Sequence, residues 1–336
     1  MSAPRVSVAL ATYNGARFLP AQLASIAAQS HRPDEIVVGD DGSQDATEEV
    51  LARFERDSGI TVRFARNVER LGSSANFGAV LLRCQGDVVF LCDQDDVWAP
   101  HKVATCLASL AARPDAAFVF SNAGLIDEDG AALRGSLWDR VFFDRTQQAA
   151  FAAGGALEIL LKTNTVTGAT MAVRRAALAA ALPVPPGWVH DGWLAFVLAL
   201  DHAALPIDER LMDYRVHASQ QIGVIGWSPA ALLGLVRKQD ALFYRREAAN
   251  FRVLAEHIAA RAEHPVGPPM AMTGASSKAA FLERRAAGRE GLLACLGGVM
   301  ASLAAGDYRR YGMGAKQAAF DLAGGVDAAL RRWRAP

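Results

Sequence analysis

The 336-residue sequence contains few cysteines and has no net charge. Its four cysteines show no Cys-X-X-Cys spacing, which favours a reduced protein over one held by a disulfide framework. Lysine plus arginine and aspartate plus glutamate both number 35, so no overall basic field indicates a nucleic acid partner. The N-terminal residues lead into a predicted strand without the apolar stretch of a signal peptide, so a cytoplasmic location is expected.

Long apolar runs and a glycine-rich nucleotide motif are also missing. The longest strongly apolar run, Leu292 to Ala305, is too short to span a bilayer. No Gly-X-Gly-X-X-Gly follows the first predicted strand, which disfavours an NAD-binding dehydrogenase. The segment Thr12 to Arg17 also lacks the glycine-rich, basic loop of a nucleotidyltransferase. Its 336 residues are enough for one large α/β domain with an appendage, or for two domains. With 51% hydrophobic and 21% charged residues, the chain is expected to be globular.

The first 120 residues alternate between predicted strands and predicted helices. The predicted strands are Val6–Ala11, Glu35–Gly39, Thr61–Ala65, Asp87–Cys92 and Ala116–Phe120. Apolar residues recur between them at helical spacing, as at Leu19, Leu23 and Ile26. Alternation of this kind predicts an α/β fold with a mainly parallel sheet flanked by helices. Ligands of such sheets lie beyond the carboxyl ends of the strands.

Three carboxylates, those of Asp93, Asp95 and Asp96, follow the fourth of these strands. On an extended chain Asp93 and Asp95 would point to one side, about 7 Å apart, and would repel each other. A Mg²⁺ or Mn²⁺ ion would remove that repulsion, since such ions take one or two carboxylates together with substrate phosphate oxygens. The alternative is a solvated acidic turn in which Asp96 caps the following helix.

The remainder of the chain is less regular. A predicted strand over 165–173 contains Gly168, where the backbone is expected to approach another group closely. From Ser228 the sequence is amphipathic and rich in alanine and arginine, which predicts a helical C-terminal region. The predicted domains are residues 1–227, with halves of about 1–122 and 123–227, and residues 228–336.

A set of short motifs makes the sequence resemble the family-2 glycosyltransferases, inverting enzymes of GT-A fold that use nucleotide sugars. The motifs are ATYNG (11–15), DDGSQDAT (40–47), GSSAN (72–76), DQDDVW (93–98), TGATM (167–171), HD (190–191) and YRVH (214–217). They occur in the family's order over roughly residues 5–225. The DQDDVW motif is most similar to that of a rhamnosyltransferase-like branch of the family, which is found in gene clusters for surface-polysaccharide synthesis.

The resemblance implies a nucleotide site at the strand ends. Its residues would be Thr12, Tyr13, Asn14, Asp41, Asn76, Asp93 and Arg215. A plain structural role at the strand end is the alternative for Thr12. Asp41 would accept the N3–H of uracil or thymine. The family's arginine on the helix before the acidic motif is missing here, so Asn76 or Arg66 is expected to replace its nucleotide contact.

The resemblance also implies a metal site beside the nucleotide. Asp95 and Asp93 would hold Mg²⁺ or Mn²⁺, with His217 as an additional ligand. Arg215 would clamp the diphosphate.

Asp191 is the expected catalytic base, because inverting transfer needs one carboxylate to take the proton of the acceptor hydroxyl. The alternative is that Asp191 only caps its helix. His190, Gly168 and Asp96 are expected around the sugar and the acceptor. Trp193 is expected to stack on a sugar ring, with core packing as the alternative.

The predicted function is a metal-dependent inverting glycosyltransferase of cell-surface polysaccharide synthesis. The donor would be dTDP-rhamnose or a UDP-hexose, and the acceptor a saccharide or a lipid-linked saccharide. The alternative is a catalytically degenerate relative that binds nucleotide sugars or acts as a scaffold. The C-terminal helices are expected to form a homodimer or to contact the inner face of the membrane, through Leu292–Ala305 and the aromatic and basic residues 308–311.

Overall fold

The computed structural model describes residues 3–217, 234, 238–261 and 269–334. The predicted domain boundary at residue 227 lies outside these residues. The chain divides into two compact units, one of Met1–Ala156 with Asn164–Val224 and one of Leu157–Thr163 with Ile225–Pro336. Within the described ranges, no helix combines the length and the hydropathy that crossing a bilayer requires.

The first unit contains a mixed sheet that has nine strands in the described part of the chain. The strands are β1 Val6–Thr12, β2 Glu35–Asp40, β3 Thr61–Arg66, β4 Val88–Cys92, β5 Val97–Trp98, β6 Ala116–Ile126, β7 Ala132–Leu133, β8 Met171–Arg174 and β9 Ala203–Arg215. Their order across the sheet is β3-β2-β1-β4-β8-β6-β9-β5, and β7 pairs with β6.

Helices flank this sheet in the first unit and make up the described part of the second. Those of the first unit are α1 Leu19–Ala27, α2 Thr47–Ser58, α3 Ser73–Arg83, α4 Lys102–Ala112, α5 Leu137–Arg140, α6 Arg145–Ala150, α8 Arg175–Leu178 and α9 His190–Ala199. The second unit contains α10 Ala241–Arg261, α11 Pro269–Gly288, α12 Leu292–Ala304, α13 Asp307–Tyr311, α14 Ala315–Arg334 and all but the first residue of α7 Ala156–Lys162.

The parallel half of the sheet brings several strand ends to one edge. Strands β1 and β2 are parallel with Thr12 opposite Asp40, and β1 and β4 are parallel with Leu10 opposite Cys92. Strands β2 and β4 are buried along their whole length, as expected for parallel strands covered on both faces. The residues that follow these three strands therefore meet at the carboxyl edge, where ligands of α/β sheets bind.

One later segment differs from the sequence prediction, and another determines where His217 lies. The strand predicted over 165–173 begins only at Met171, because Gly168–Thr170 form a 3-10 turn. β9 is one long strand parallel to β6, and shifts of register near Asn122 bring Arg215 opposite Ile126. β9 thus carries the residues after it, including His217, back to the carboxyl edge of the sheet.

Candidate functional site

Thr12, at the end of β1, is a structural residue. Its hydroxyl donates to Asp40 Oδ1 at 2.9 Å, and the side chain is buried. Its carbonyl accepts the N–H of Asp41 at 2.8 Å. The predicted nucleotide contact through the Thr12 side chain is therefore wrong, because the hydroxyl is enclosed and already bonded.

Asp41 fixes the loop that precedes α3. Its Oδ1 accepts from the backbone N–H of Leu71 at 2.7 Å and from Asn67 Nδ2 at 3.1 Å. Its Oδ2 accepts from the N–H of Gly72 at 2.8 Å. Arg70 Nε also lies 3.9 Å from Oδ2. A carboxylate has about four acceptor positions, so at most one position on Asp41 is left for a further short hydrogen bond, such as one from a pyrimidine N3–H.

Asn76 lies behind this loop and is not available to a nucleotide. Its amide donates to the carbonyl of Gly39 at 2.8 Å and accepts from Asn67 at 3.0 Å. The side chain is buried, and a Cβ added at Gly39 would lie 2.3 Å from its Oδ1. The predicted nucleotide role of Asn76 is corrected to that of a link between β2 and α3.

Tyr13 and Asn14 lie at the open side of the crevice. Gln94 Oε1 accepts from the N–H of Tyr13 at 2.9 Å, and Gln94 Nε2 donates to the carbonyl of Tyr13 at 3.1 Å. The side-chain amide of Gln94 thus pairs with the Tyr13 backbone as a neighbouring β-strand does. The guanidinium of Arg70 lies over the half-buried Tyr13 ring, 3.9 Å from its centroid. Asn14 has a left-handed φ of 48° and accepts from the N–H of Gln44 at 2.8 Å. Gln94 and Arg70 were not identified from the sequence.

The acidic motif does not continue β4. The strand ends at Cys92, and Gln94 and Asp95 form a turn, so the extended geometry predicted for Asp93 and Asp95 is wrong. Burial, followed by the charges of Asp95 and Asp191, raises the pKa of the Asp93 carboxyl to about 7. The carboxylates of Asp95 and Asp191 therefore lie close enough to Asp93 to repel its charge.

Asp95 is partnered by His217. The imidazole Nε2 lies 2.9 Å from Asp95 Oδ2, and both side chains are largely shielded from solvent. Within the ranges that the structure describes, no three histidine, cysteine, aspartate or glutamate side chains are grouped as a metal cluster. A cation here would accordingly need oxygen ligands from the substrate as well as protein ligands.

Asp96 and Arg215 are both internal. Asp96 is 1% exposed, its Oδ1 accepts the N–H of Arg215 at 2.9 Å, and burial raises its pKa well above the usual value. The N-cap of α4 is His101, so Asp96 does not cap that helix. Because Asp96 is buried, it also does not reach an acceptor. The Arg215 guanidinium donates to the carbonyls of Asp95 at 2.7 Å and Asp127 at 2.9 Å. The predicted phosphate clamp is corrected to a support for the acidic turn.

Asp191 lies in the first turn of α9 and is held by three donors. Its Oδ2 accepts the N–H of Gly168 at 3.1 Å, while its Oδ1 accepts from Asn164 Nδ2 at 2.9 Å and from the N–H of Gly192 at 2.6 Å. The N-cap of α9 is Val189, so the alternative of a mere helix cap is not observed. Asn164 was missed from the sequence, since nothing in the sequence links it to a residue 27 positions away.

Gly168 makes the close approach that its sequence position indicated. A Cβ added there would lie 2.7 Å from His190 Nε2 and 3.4 Å from Asp191 Cβ. The turn at Gly168 is also fixed by the buried Lys102, whose ammonium donates to the carbonyl of Ala169 at 2.6 Å. Lys102 thus connects the helix that follows the acidic motif with the turn that holds Asp191.

His190 and Trp193 belong to the core. The His190 ring stacks on Phe77 with centroids 4.1 Å apart, and burial lowers its pKa. Neither ring nitrogen has a hydrogen-bond partner among the described residues. Trp193 is 1% exposed and donates to the carbonyl of Ala181 at 2.7 Å. The predicted sugar contacts of both side chains are therefore wrong, and the core-packing alternative for Trp193 is confirmed.

This arrangement of acidic residues at the carboxyl edge can be compared with known proteins. The sequence profile of glycosyl transferase family 2 matches residues 7–181. The chain belongs to this family. The family predicted from the motifs is thereby confirmed, while the profile match ends before Asp191 and His217.

Relatives with glycosyltransferase names match parts of the chain. An uncharacterized glycosyltransferase of Nostoc sp. is 26% identical over 223 residues, covering 64% of this chain and 66% of the relative. The putative teichuronic acid biosynthesis glycosyltransferase TuaG of Bacillus subtilis is 32% identical over 131 residues, covering 39% of this chain. The chain spans about half of the TuaG length, 51%.

Two solved structures share the fold at low identity. TarS 1-349 of S. aureus, in complex with UDP-GlcNAc, has a TM-score of 0.52 and 16% identity, covering 84% of this chain and 80% of TarS 1-349. The mannosyltransferase PcManGT of Pyrobaculum calidifontis, in complex with GDP-Man and Mn²⁺, also has a TM-score of 0.52, with 19% identity over 99% of this chain and 88% of PcManGT. The predicted GT-A fold with C-terminal helices is confirmed.

Proposed function

We propose that this chain is a divalent-metal-dependent, inverting glycosyltransferase that moves a sugar from a nucleotide-diphosphate sugar to an acceptor hydroxyl. The observation that carries the proposal is the convergence of Asp93, Asp95 and Asp191 at the carboxyl edge of the sheet. The charges of Asp95 and Asp191 act together with burial to raise the pKa of Asp93. Family membership and the names of the relatives support the same reaction class.

A Mg²⁺ or Mn²⁺ ion fits this set of donors. The repulsion at Asp93 would be relieved by a cation, and carboxylate oxygens are the ligands that these ions prefer. Asp93 and Asp95 would hold the ion, and His217, 2.9 Å from Asp95, would be the third ligand. When bound, such an ion neutralises charge on a departing nucleoside diphosphate.

Asp191 would act as the general base of the transfer. Its carboxylate would take the proton of the acceptor hydroxyl while that oxygen forms a bond to the anomeric carbon. The bond from the anomeric carbon to the diphosphate breaks on the opposite face, so the product has inverted configuration. Gly168, Asn164 and Gly192 hold the carboxylate in one orientation for this step.

The donor site would use Asp41 and Tyr13, together with Asn14. A free acceptor position on Asp41 suits the N3–H of uracil or thymine, so UDP-hexoses and dTDP-rhamnose both fit. The acceptor would be a saccharide or a lipid-linked saccharide in surface-polysaccharide synthesis on the cytoplasmic side of the membrane. The teichuronic acid name of the Bacillus relative supports that acceptor class.

The experiment has a binding step and a turnover step. Thermal shift with UDP-, dTDP- and GDP-sugars, in Mn²⁺ and in excess EDTA, identifies a stabilising donor. Slow release of the nucleoside diphosphate from that donor is then measured for the native chain and for Asp191→Asn, and the anomeric configuration of any product is determined. Retention of configuration, or full activity in EDTA, would overturn the proposal. Donor binding without any release would establish the degenerate alternative.

A further inference from the structure

Helix α12 of the second unit exposes an apolar face. No residue between Leu292 and Ala304 is charged. Cys295, Val299 and Ser302 are buried on the inner side of the helix. The exposed large side chains on its outer side are Leu292, Leu293, Leu296, Met300 and Leu303, and Leu293 is 86% exposed. This stripe extends over about three helical turns.

Helix α14 packs against α12 and carries a second exposed apolar stripe. Val326, Leu330 and Trp333 recur at the spacing of one helical turn, and Trp333 is 83% exposed. The two helices are in contact, since Cys295 Sγ donates to the carbonyl of Asp321 at 3.4 Å. Arg332 donates to the carbonyl of Arg289, so the end of α14 lies beside the residues that precede α12.

The exposed charge within and between α12 and α14 is basic, and the exposed Glu290 just before α12 is paired with Arg245. In residues 291–333, all of which the structure describes, the exposed charged side chains are Arg309, Arg310, Lys316, Arg331 and Arg332. The acidic residues of the same range are Asp307, Asp321 and Asp327, and each is in an ion pair with an arginine. Two of these arginines, Arg284 and Arg285, come from α11, so the paired acids leave the basic rim largely unneutralised.

We propose that the α12–α14 face, formed by Leu292, Leu293, Leu296, Met300, Leu303, Val326, Leu330 and Trp333, docks on the surface of a membrane that contains anionic lipid. Apolar side chains rimmed by arginine and lysine are the combination that binds such surfaces, through buried apolar area and charge attraction. Trp333 suits the headgroup level, where tryptophan is enriched. Tyr308 and Tyr311, expected from the sequence to lie at that level, are buried instead.

A second copy of the chain is a poorer partner for this face. In a two-fold dimer the same patch meets itself. The basic rims of two copies would then lie against each other, and like charges in an interface are destabilising. An anionic bilayer complements the rim, so charge favours the lipid surface over self-association.

The test is sedimentation of the purified chain with vesicles of phosphatidylcholine alone and of phosphatidylcholine with phosphatidylglycerol. The native chain is expected to pellet with the anionic vesicles at low salt and to be released by high salt, because screening weakens the charge attraction. The double variant Leu293→Glu with Met300→Glu is expected to lower binding to anionic vesicles by at least about tenfold, since it places charge in the apolar stripe. The double variant Arg309→Gln with Arg310→Gln should weaken binding to anionic vesicles while leaving binding to neutral ones unchanged.

The matched control is Leu82→Glu, which changes a leucine that is 66% exposed on α3 of the first unit and should leave sedimentation unchanged. Equal recovery of the native chain in the supernatant of both vesicle types would overturn the proposal. So would a concentration-dependent dimer, seen by light scattering, that the Leu293→Glu and Met300→Glu changes dissociate. No nucleotide sugar is present, so the result is independent of the proposed transferase activity.

Discussion

The Asp95 carboxylate and the His217 imidazole lie 2.9 Å apart, although 122 positions separate them in the sequence. β4 places the acidic turn at the carboxyl edge, and the long β9 returns His217 to it. Arg215 holds the same turn by donating to the carbonyl of Asp95 at 2.7 Å. Two segments that are far apart in the first unit's sequence therefore build one pair of candidate metal ligands.

We expect Asp95→Asn to remove most metal-dependent nucleotide binding, because the neutral amide keeps the shape of the side chain but loses its charge. His217→Ala should weaken metal affinity by about tenfold or more, because loss of the proposed third ligand should cost at least as much as loss of a supporting residue outside the coordination shell. Calorimetric titration of UDP or dTDP with and without Mn²⁺ measures both effects. Asp115→Asn, in an exposed pair with Arg113, is the matched control and should bind normally. Unchanged Mn²⁺ dependence in Asp95→Asn would contradict the assignment.

Asp191→Asn is expected to lower kcat by about 10²-fold or more while donor affinity changes little, which is the scale of lost general-base help. Asn164→Ala should lower kcat by about tenfold, because it removes one hydrogen bond to a charged group and leaves the base in place. Steady-state kinetics on the donor found in the thermal-shift screen separates kcat from KM for each variant. An equal loss in both variants would indicate a folding defect, and a loss confined to KM in Asp191→Asn would argue against its role as base.

The strand ends were predictable because their signals are local. A buried strand such as β4 is a continuous apolar run in the sequence, and polar residues follow at the point where the strand ends. Asp41, Asp93, Asp95 and Asp191 were identified in this way or through the family resemblance, and the structure brings the last three of them together.

The wrong predictions concern residues whose environment is set by parts of the chain that are distant in the sequence. Arg215 looked available to a phosphate, but the carbonyls that accept from it belong to residues 88 and 120 positions away. Trp193 was predicted to stack on a sugar ring, but eight of the ten residues of α9 are buried, so this helix has no solvent-facing stripe. The segment 165–173 has β-branched residues typical of a strand, yet Gly168 must turn to donate to Asp191.

Gly168→Ala is expected to lower kcat strongly, because the new Cβ would lie 2.7 Å from His190 Nε2 and would displace the first turn of α9. His190 is enclosed by Phe77 and cannot move aside easily. The control is Gly78→Ala on α3, where the nearest atoms would be at an ordinary 3.7 Å. Donor release and thermal unfolding of both variants are measured. Normal turnover in Gly168→Ala would show that Asp191 does not depend on this contact.

Lys278 is a buried cation in the second unit. Its ammonium donates to the carbonyl of Tyr311 at 2.6 Å, and the side chain is almost fully enclosed. Burial, aided by the charge of Arg285 and opposed by that of Glu247, lowers the pKa of Lys278 to about 7. A lysine in the unfolded chain keeps a pKa of about 10.4.

The shift at Lys278 makes stability depend on pH in a defined direction. Between the folded pKa of about 7 and the ordinary lysine value, the unfolded chain binds a proton that the native chain does not. The free energy of unfolding therefore rises with pH across this window, by up to about 1.4 kcal/mol per pH unit, and this contribution becomes flat below it.

The variant Lys278→Met tests this dependence, because methionine cannot bind a proton in either the folded or the unfolded chain. The difference in thermal midpoint between Lys278→Met and the native chain should be most favourable to the variant near pH 6 to 7, and it should shift towards the native chain as pH rises towards about 9.5. Lys316→Met, at an exposed lysine, should follow the native chain at every pH. Parallel curves for Lys278→Met and the native chain would show that Lys278 does not titrate in this window.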